Sequence, residues 1–154
     1  MTKIDNILSR LHDALRPVKG EWMIIGTSSL YMAGFSVQPN DIDILADIET
    51  TKEIEAALAV YRVETQVRPS EKFRSRFSQY VFDGFNIEVM GGLKVNSFDG
   101  WLLLRENIPA TEVVFLNQKP FIVPAKESQI AIYTLFDRAK DKSTLQMLTN
   151  ENLH

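Results

Sequence analysis

The chain has 154 residues, 45% of them hydrophobic and 24% charged, which allows a packed core and excludes an intrinsically disordered chain. Its net charge of −3 argues against a general nucleic-acid binder, and the absence of cysteine excludes disulfides, thiolate metal sites and a cysteine nucleophile together. No apolar run approaches the roughly 20 residues of a membrane span, and the opening "MTKIDNILSRLHDAL" alternates charged with apolar groups, unlike a signal peptide, so a cytoplasmic location is the expectation.

The first element in chain order is a helix. Ile4, Ile7, Leu8, Leu11 and Leu15 recur at helical spacing, Thr2 stands at the cap position and Pro17 ends it. "EWMIIG" reads as a short buried strand, and "TSSLYMAG" as a short helix capped by Thr27 or Ser28 and stopped at Gly34. After the loop "FSVQPN", "DIDILAD" reads as a strand by alternation. Thr50 and Glu53 have capping-box spacing, ahead of a helix whose buried stripe is Ile54, Ala57 and Leu58.

"YRVETQV" is a further strand, followed by a loop around Pro69. "RFSQYVF" and "FNIEVM" flank Asp83-Gly84, a pair suited to a tight two-residue hairpin turn. "EVVFLNQKPFIVP" is a second hairpin turning near Asn117-Gln118, and two helices follow, from about Lys126 to Phe136 and from about Lys140 to Thr149. Interspersed helices and hairpins predict an α+β fold with a mixed β-sheet and helices mainly on one face. Residues 1–154 are expected to form one domain.

Two acids one residue apart in an apolar strand call for a reason. Alternate strand residues share a face, so Asp41 and Asp43 point one way and Ile42 and Ile44 the other. Carboxylates side by side repel unless they are protonated or bridged by a cation. In "FNIEVM" the same alternation puts Glu88 on one face with Asn86 and Met90, so Glu88 joins the aspartates if the two strands are neighbours. Three hard oxygen ligands suit Mg²⁺. Upstream, "GTSS" lies between strand and helix. Gly26 permits close backbone approach, and the hydroxyls of Thr27 and Ser28 with nearby amides offer donors to an anion. Phosphate on the turn, with metal between it and the carboxylates, is what phosphoryl and nucleotidyl transfer require.

This pattern resembles the nucleotidyltransferase superfamily related to DNA polymerase β. The matching residues are Gly26, Thr27, Ser28, Leu30 and Gly34, then Asp41 and Asp43, then the later acid Glu88. The short form looks like the minimal nucleotidyltransferases, including antibiotic adenylyltransferases and AbiEii-type toxins, and "RAKD", Arg138 to Asp141, is similar to a late stretch of the AbiEii-like chains. The second turn position is usually Gly or Ser where this chain has Thr27. A lysine often found before the late motif is missing from "ESQIAIYTLFD".

The resemblance implies a polymerase β-like fold and transfer of a nucleoside monophosphate from a triphosphate such as ATP to a hydroxyl, releasing pyrophosphate. It implies two Mg²⁺ ions held by Asp41, Asp43 and Glu88, with Glu88 as metal ligand or general base, and nucleotide contacts from Gly26, Thr27, Ser28, Arg138 and Lys140. The acceptor is open between an antibiotic-like small molecule and, in a toxin-like enzyme, tRNA or a protein. A non-catalytic nucleotide-binding module is the third reading. So short a chain leaves little room for an acceptor domain. The acceptor is then held by the helices over about 126–149, by a second copy or by a separate protein.

Other residues carry structural readings beside functional ones. Lys72, Arg74 and Arg76 fit a solvated edge strand as well as phosphate or acceptor contacts. Arg138 and Lys140 equally fit positive charges that neutralise the dipole at a helix C-terminus. His12 and His154 are poor catalytic candidates, and Trp22 and Trp101 are expected in the core.

Overall fold

The computed structural model describes residues 2–65 and 70–151, so the end of the expected strand over 61–67, the loop around Pro69 and His154 lie outside the described residues. Helix α1 (Lys3–Ala14) opens with a reciprocal cap: the Thr2 hydroxyl accepts the Asp5 amide and the Asp5 carboxylate accepts the Thr2 amide. Its apolar stripe is buried as the spacing predicts. Strand β1 (Trp22–Ile25) runs directly into α2 (Gly26–Met32), then come β2 (Asp41–Ala46) and α3 (Ile48–Ala57). The capping box expected from Thr50 and Glu53 is not formed. The helix starts two residues before Thr50, with Asp47 as cap accepting the Thr50 amide at 2.7 Å, and Glu53 instead accepts the Lys19 amide at 2.8 Å. Asp47 is itself a good cap, and the earlier start lets Thr50 and Thr51 be buried.

Strands β3 (Arg62–Val63), β4 (Phe73–Phe82), β5 (Phe85–Ser97) and β6 (Gly100–Leu103) complete a six-stranded sheet of order β1-β2-β5-β4-β3, with β6 added to β5. β2 and β5 pair in parallel and the other pairs are antiparallel, so the sheet is mixed. The β4–β5 hairpin closes at Phe82 and Phe85, and Asp83 (φ 53°) and Gly84 (φ 78°) supply the two left-handed residues of its turn. β5 continues well beyond "FNIEVM", through Gly91-Gly92. Arg76 faces Gly91 but Arg74 faces Lys94, so β5 carries one extra residue at this bulge. The glycines are there because α3 lies on them: a Cβ at Gly91 would come within 2.4 Å of Thr51 Oγ1, and one at Gly92 within 2.9 Å of Ile48 Cγ1.

Strands β7 (Thr111–Leu116) and β8 (Lys119–Pro124) form the second hairpin, with Asn117 and Gln118 both at positive φ, and helices α4 (Lys126–Phe136) and α5 (Ala139–Glu151) follow. The sheet is packed on both faces. On one, Ile42, Ile44, Ile87 and Val89 join Leu8 and Leu11 of α1 and Ile54 of α3. On the other, Met23, Ile25, Leu45, Leu93 and Val95 join Ile132 and Phe136 of α4. No described helix is long and apolar enough to cross a membrane.

Trp22 packs against the first cluster, edge-on to Phe121 and His12, which gives His12 a packing role. Trp101, expected in the core, is instead half-buried on the short strand β6, where the Arg74 guanidinium lies 3.9 Å from its ring centroid.

Candidate active site

Ile42 and Ile44 are fully buried, so the alternation of β2 fixes Asp41 and Asp43 on the opposite face, both half-buried. Parallel pairing sets Asp43 opposite Glu88 and Asp41 opposite Asn86. One carboxylate oxygen from each of Asp41, Asp43 and Glu88 lies within 4.8 Å of the others. This crowding costs energy. Burial, then the charges of Asp41 and Glu88, push the Asp43 carboxyl up to about 8. Burial and Glu88 also raise Asp41, while the Lys140 ammonium works against the rise at both aspartates. Asp43 Oδ1 is buried and has no hydrogen-bond partner among the described residues, a state that folded proteins rarely leave uncompensated.

The glycine turn is built around the same carboxylate. Gly26 has φ 72°, and a Cβ there would lie 2.7 Å from Asp43 Oδ2. The glycine therefore leaves room for Asp43 itself, a closer constraint than the phosphate approach read from sequence. Gly26→Ala is expected to cost about 1–3 kcal/mol from the left-handed backbone alone and to push the Asp43 carboxylate out of register with Glu88. Denaturant unfolding and a Mg²⁺ titration of the same variant check both effects.

The hydroxyls of the turn divide. Thr27 is exposed and lines the cleft described below. Ser28, expected to cap α2 or to contact nucleotide, is buried and donates its hydroxyl to the Asp41 carbonyl at 2.5 Å; the cap position is held by Ile25 without a side-chain bond. The Ser28 hydroxyl thus ties α2 to the strand of the aspartates. Ser29 donates to the Gly26 carbonyl at 2.7 Å and accepts from Gln129 Nε2 at 3.0 Å, and both residues are buried. Gln129 was not singled out by sequence reasoning, although a polar residue in line with the buried Ile132, Tyr133 and Phe136 of α4 was a readable signal.

The acids open into a cleft of about 810 Å³ that also receives Tyr133 and Phe136 from α4 and Arg138, Lys140, Asp141 and Thr144 from the start of α5. Arg138 donates to the buried Asp141 carboxylate from Nε at 2.7 Å, from a terminal nitrogen at 3.0 Å and from its amide at 2.9 Å. Its guanidinium also lies over the rings of Phe73 and Phe136. Lys140 is the cation whose field reaches the acids. The Tyr133 hydroxyl is held protonated by burial first and by the nearby charges of Asp141 and Asp43.

No family model matches the sequence, and no curated protein matches it significantly. Solved structures do. The chain is 26% identical to a provisionally assigned nucleotidyltransferase from Thermotoga maritima, with a TM-score of 0.76 over 98% of this chain and 96% of that one. The chain belongs to the nucleotidyltransferase superfamily. The same fold recurs in LnuA, a lincosamide antibiotic adenylyltransferase solved with lincomycin bound, at 15% identity and a TM-score of 0.62 over 97% of each chain. It recurs in ANT(2'')-Ia, solved with adenylyl-2''-tobramycin, at 11% identity and a TM-score of 0.62 over 97% of this chain and 90% of that one. This chain is accordingly an enzyme of the nucleotidyltransferase class with an open acceptor.

Within this nucleotidyltransferase two of the three cations before the hairpin have structural partners, and one of them, Arg74, also borders the cleft. Arg76 forms a two-pronged bond to Glu55 of α3 at 2.7 and 3.0 Å, and Arg74 is stacked on Trp101. The acidic triad, Gly26, Thr27, Arg138 and Lys140 all border the one cleft, whereas Ser28 lies behind it.

Proposed function

We propose that this nucleotidyltransferase moves a nucleoside monophosphate from a triphosphate to a hydroxyl of a small molecule, with Mg²⁺ held by Asp41, Asp43 and Glu88. The observation that carries the reading is the convergence of one carboxylate oxygen from each of the three acids within 4.8 Å of the others, at an Asp43 that also has a buried oxygen without a hydrogen-bond partner among the described residues. The donor set fits: all three ligands are hard oxygens, and Mg²⁺ commonly takes a few carboxylates and completes its shell with water and phosphate oxygens. When bound, two such ions would neutralise the triphosphate and the attacking and leaving oxygens.

The protein's own groups supply the rest. Lys140, beside the acids, pairs with phosphate oxygens, and Thr27 with the backbone at Gly26 donates to the same group. Arg138, held flat by Asp141 and two aromatic rings, presents its remaining donors to the cleft without having to be ordered on binding. Glu88 takes the proton of the acceptor hydroxyl. The acceptor oxygen forms its bond to the α-phosphorus as the bond to the bridging oxygen breaks, and pyrophosphate leaves.

A small acceptor is favoured over a macromolecule. The chain has no excess of positive charge to hold tRNA, its cleft is of small-ligand size, and two proteins of this fold carry antibiotics or their adenylyl products. Helices α4 and α5, which wall the cleft, are the acceptor-side cover. The test is incubation of the full chain with Mg²⁺, each α-labelled triphosphate in turn, and candidate small molecules, tRNA or protein. Release of labelled small-molecule adduct with pyrophosphate is the expected result, and label fixed in RNA or protein would contradict it.

A further inference from the structure

Resting on that transfer reading, the charges of the cleft narrow the acceptor: we infer that it is an uncharged hydroxyl compound with an apolar or aromatic face, not a polyammonium aminosugar. Apart from Asp41, Asp43 and Glu88, the lining contains one other carboxylate among the described residues, Asp141. Asp141 is 1% exposed and takes three bonds from Arg138, so it has nothing to offer an ammonium group. The triad is committed to cations that accompany the triphosphate. The remaining charged groups of the lining, Arg74, Arg138 and Lys140, are cationic, Lys140 acts directly on the acids, and together they disfavour a polycation. Taking an ammonium group out of water without a paired carboxylate costs several kcal/mol.

What the wall offers instead is apolar. Phe73 and Phe77 of β4, Leu93 of β5 and Phe136 of α4 border the cleft, interrupted by the hydroxyls of Ser70, Ser75 and Thr144. Aromatic faces with a few hydroxyls suit a ring with an apolar side and polar edges. The conclusion does not depend on which part of the wall the nucleotide base occupies, because no stretch of the described lining holds an unpaired carboxylate beyond the triad.

The full chain is first titrated with a non-hydrolysable ATP analogue in the presence of Mg²⁺, and the complex is then titrated calorimetrically with two probes. One is 4-nitrophenyl glucoside, uncharged with an aromatic face; the other is tobramycin, a polyammonium aminosugar. The glucoside is expected to bind at least about tenfold more tightly than tobramycin. Ser75→Asp, which adds a carboxylate at an exposed position of the wall, is expected to shift that ratio toward tobramycin by about tenfold. Equal or tighter binding of tobramycin to the unaltered chain, or no binding of the glucoside, overturns the inference and leaves the transfer reading standing. Failure of the first titration overturns the transfer reading itself and the acceptor inference with it.

Discussion

Asp43→Asn is expected to abolish nucleotidyl transfer while making the ligand-free protein more stable. Both effects come from one buried group. Asp43 sits between Asp41 and Glu88, with one oxygen unpartnered and its carboxyl pushed up to about 8 by burial first and like charge second. Asparagine keeps the volume, removes the charge, and its amide can donate where the protonated acid now shares a hydrogen bond with Glu88. Relieving the cost of the buried acid is expected to add on the order of a few kcal/mol of stability at neutral pH in chelator. The same change removes a ligand from a site that supplies several kcal/mol of transition-state stabilisation, a loss of roughly a thousandfold in rate. Denaturant unfolding in EDTA and single-turnover transfer of labelled nucleotide check the two halves. A purely structural acid would lose stability on substitution, so a destabilised variant would contradict the account.

The stability of the metal-free protein is expected to fall as pH rises from about 5 to 8, the reverse of the usual behaviour of a carboxylate-rich protein. A carboxyl raised in the folded state binds a proton that the unfolded chain has already released. Its contribution is therefore fully present below the unfolded value and is lost as pH climbs towards about 8. Asp41 is raised in the same direction. The slope is expected to reach about 1.4 kcal/mol per pH unit at its steepest. Asp13, Asp47 and Glu55 are held low by hydrogen bonds from Lys119, the Thr50 amide and Arg76 respectively. Their stabilising effect is lost only as pH falls below the ordinary carboxylate range, which leaves the fall between about 5 and 8 to Asp43, with Asp41 raised in the same direction. Saturating Mg²⁺ competes with the proton and is expected to flatten the slope, with proton release on metal binding near pH 7. Asp43→Asn is expected to flatten it without metal.

The parts of this design that were legible in sequence are those fixed by local rules. Period-two alternation placed Asp41 and Asp43 opposite Ile42 and Ile44, and Asp83-Gly84 announced its hairpin, because both depend on residues a few positions apart. The pairing of β2 with β5 could be stated only as a condition, since nothing local to either strand names its neighbour. The bulge at Gly91-Gly92 has no local signature, because the two glycines answer to Thr51 and Ile48 on a helix far away in sequence. Local capping preferences do not distinguish Asp47 from Thr50 as the cap of α3, and burial of Thr50 and Thr51 decides between them. At Ser28 the residue type was read and the direction of its hydroxyl was not, since that direction depends on the position of the Asp41 carbonyl. Arg138 was recognised by resemblance, but its attachment to a buried Asp141 is a tertiary fact that no spacing rule contains.

The central claim, that the three acids are a metal site for triphosphate chemistry, is tested most directly by a crystal structure with Mn²⁺ and a non-hydrolysable triphosphate, read by anomalous scattering. The account predicts anomalous density between the triphosphate and the carboxylates of Asp41, Asp43 and Glu88, with Asp43 Oδ1 among its ligands. Metal bound away from Asp41 and Asp43, or a triphosphate bound with no metal at these residues, would contradict it.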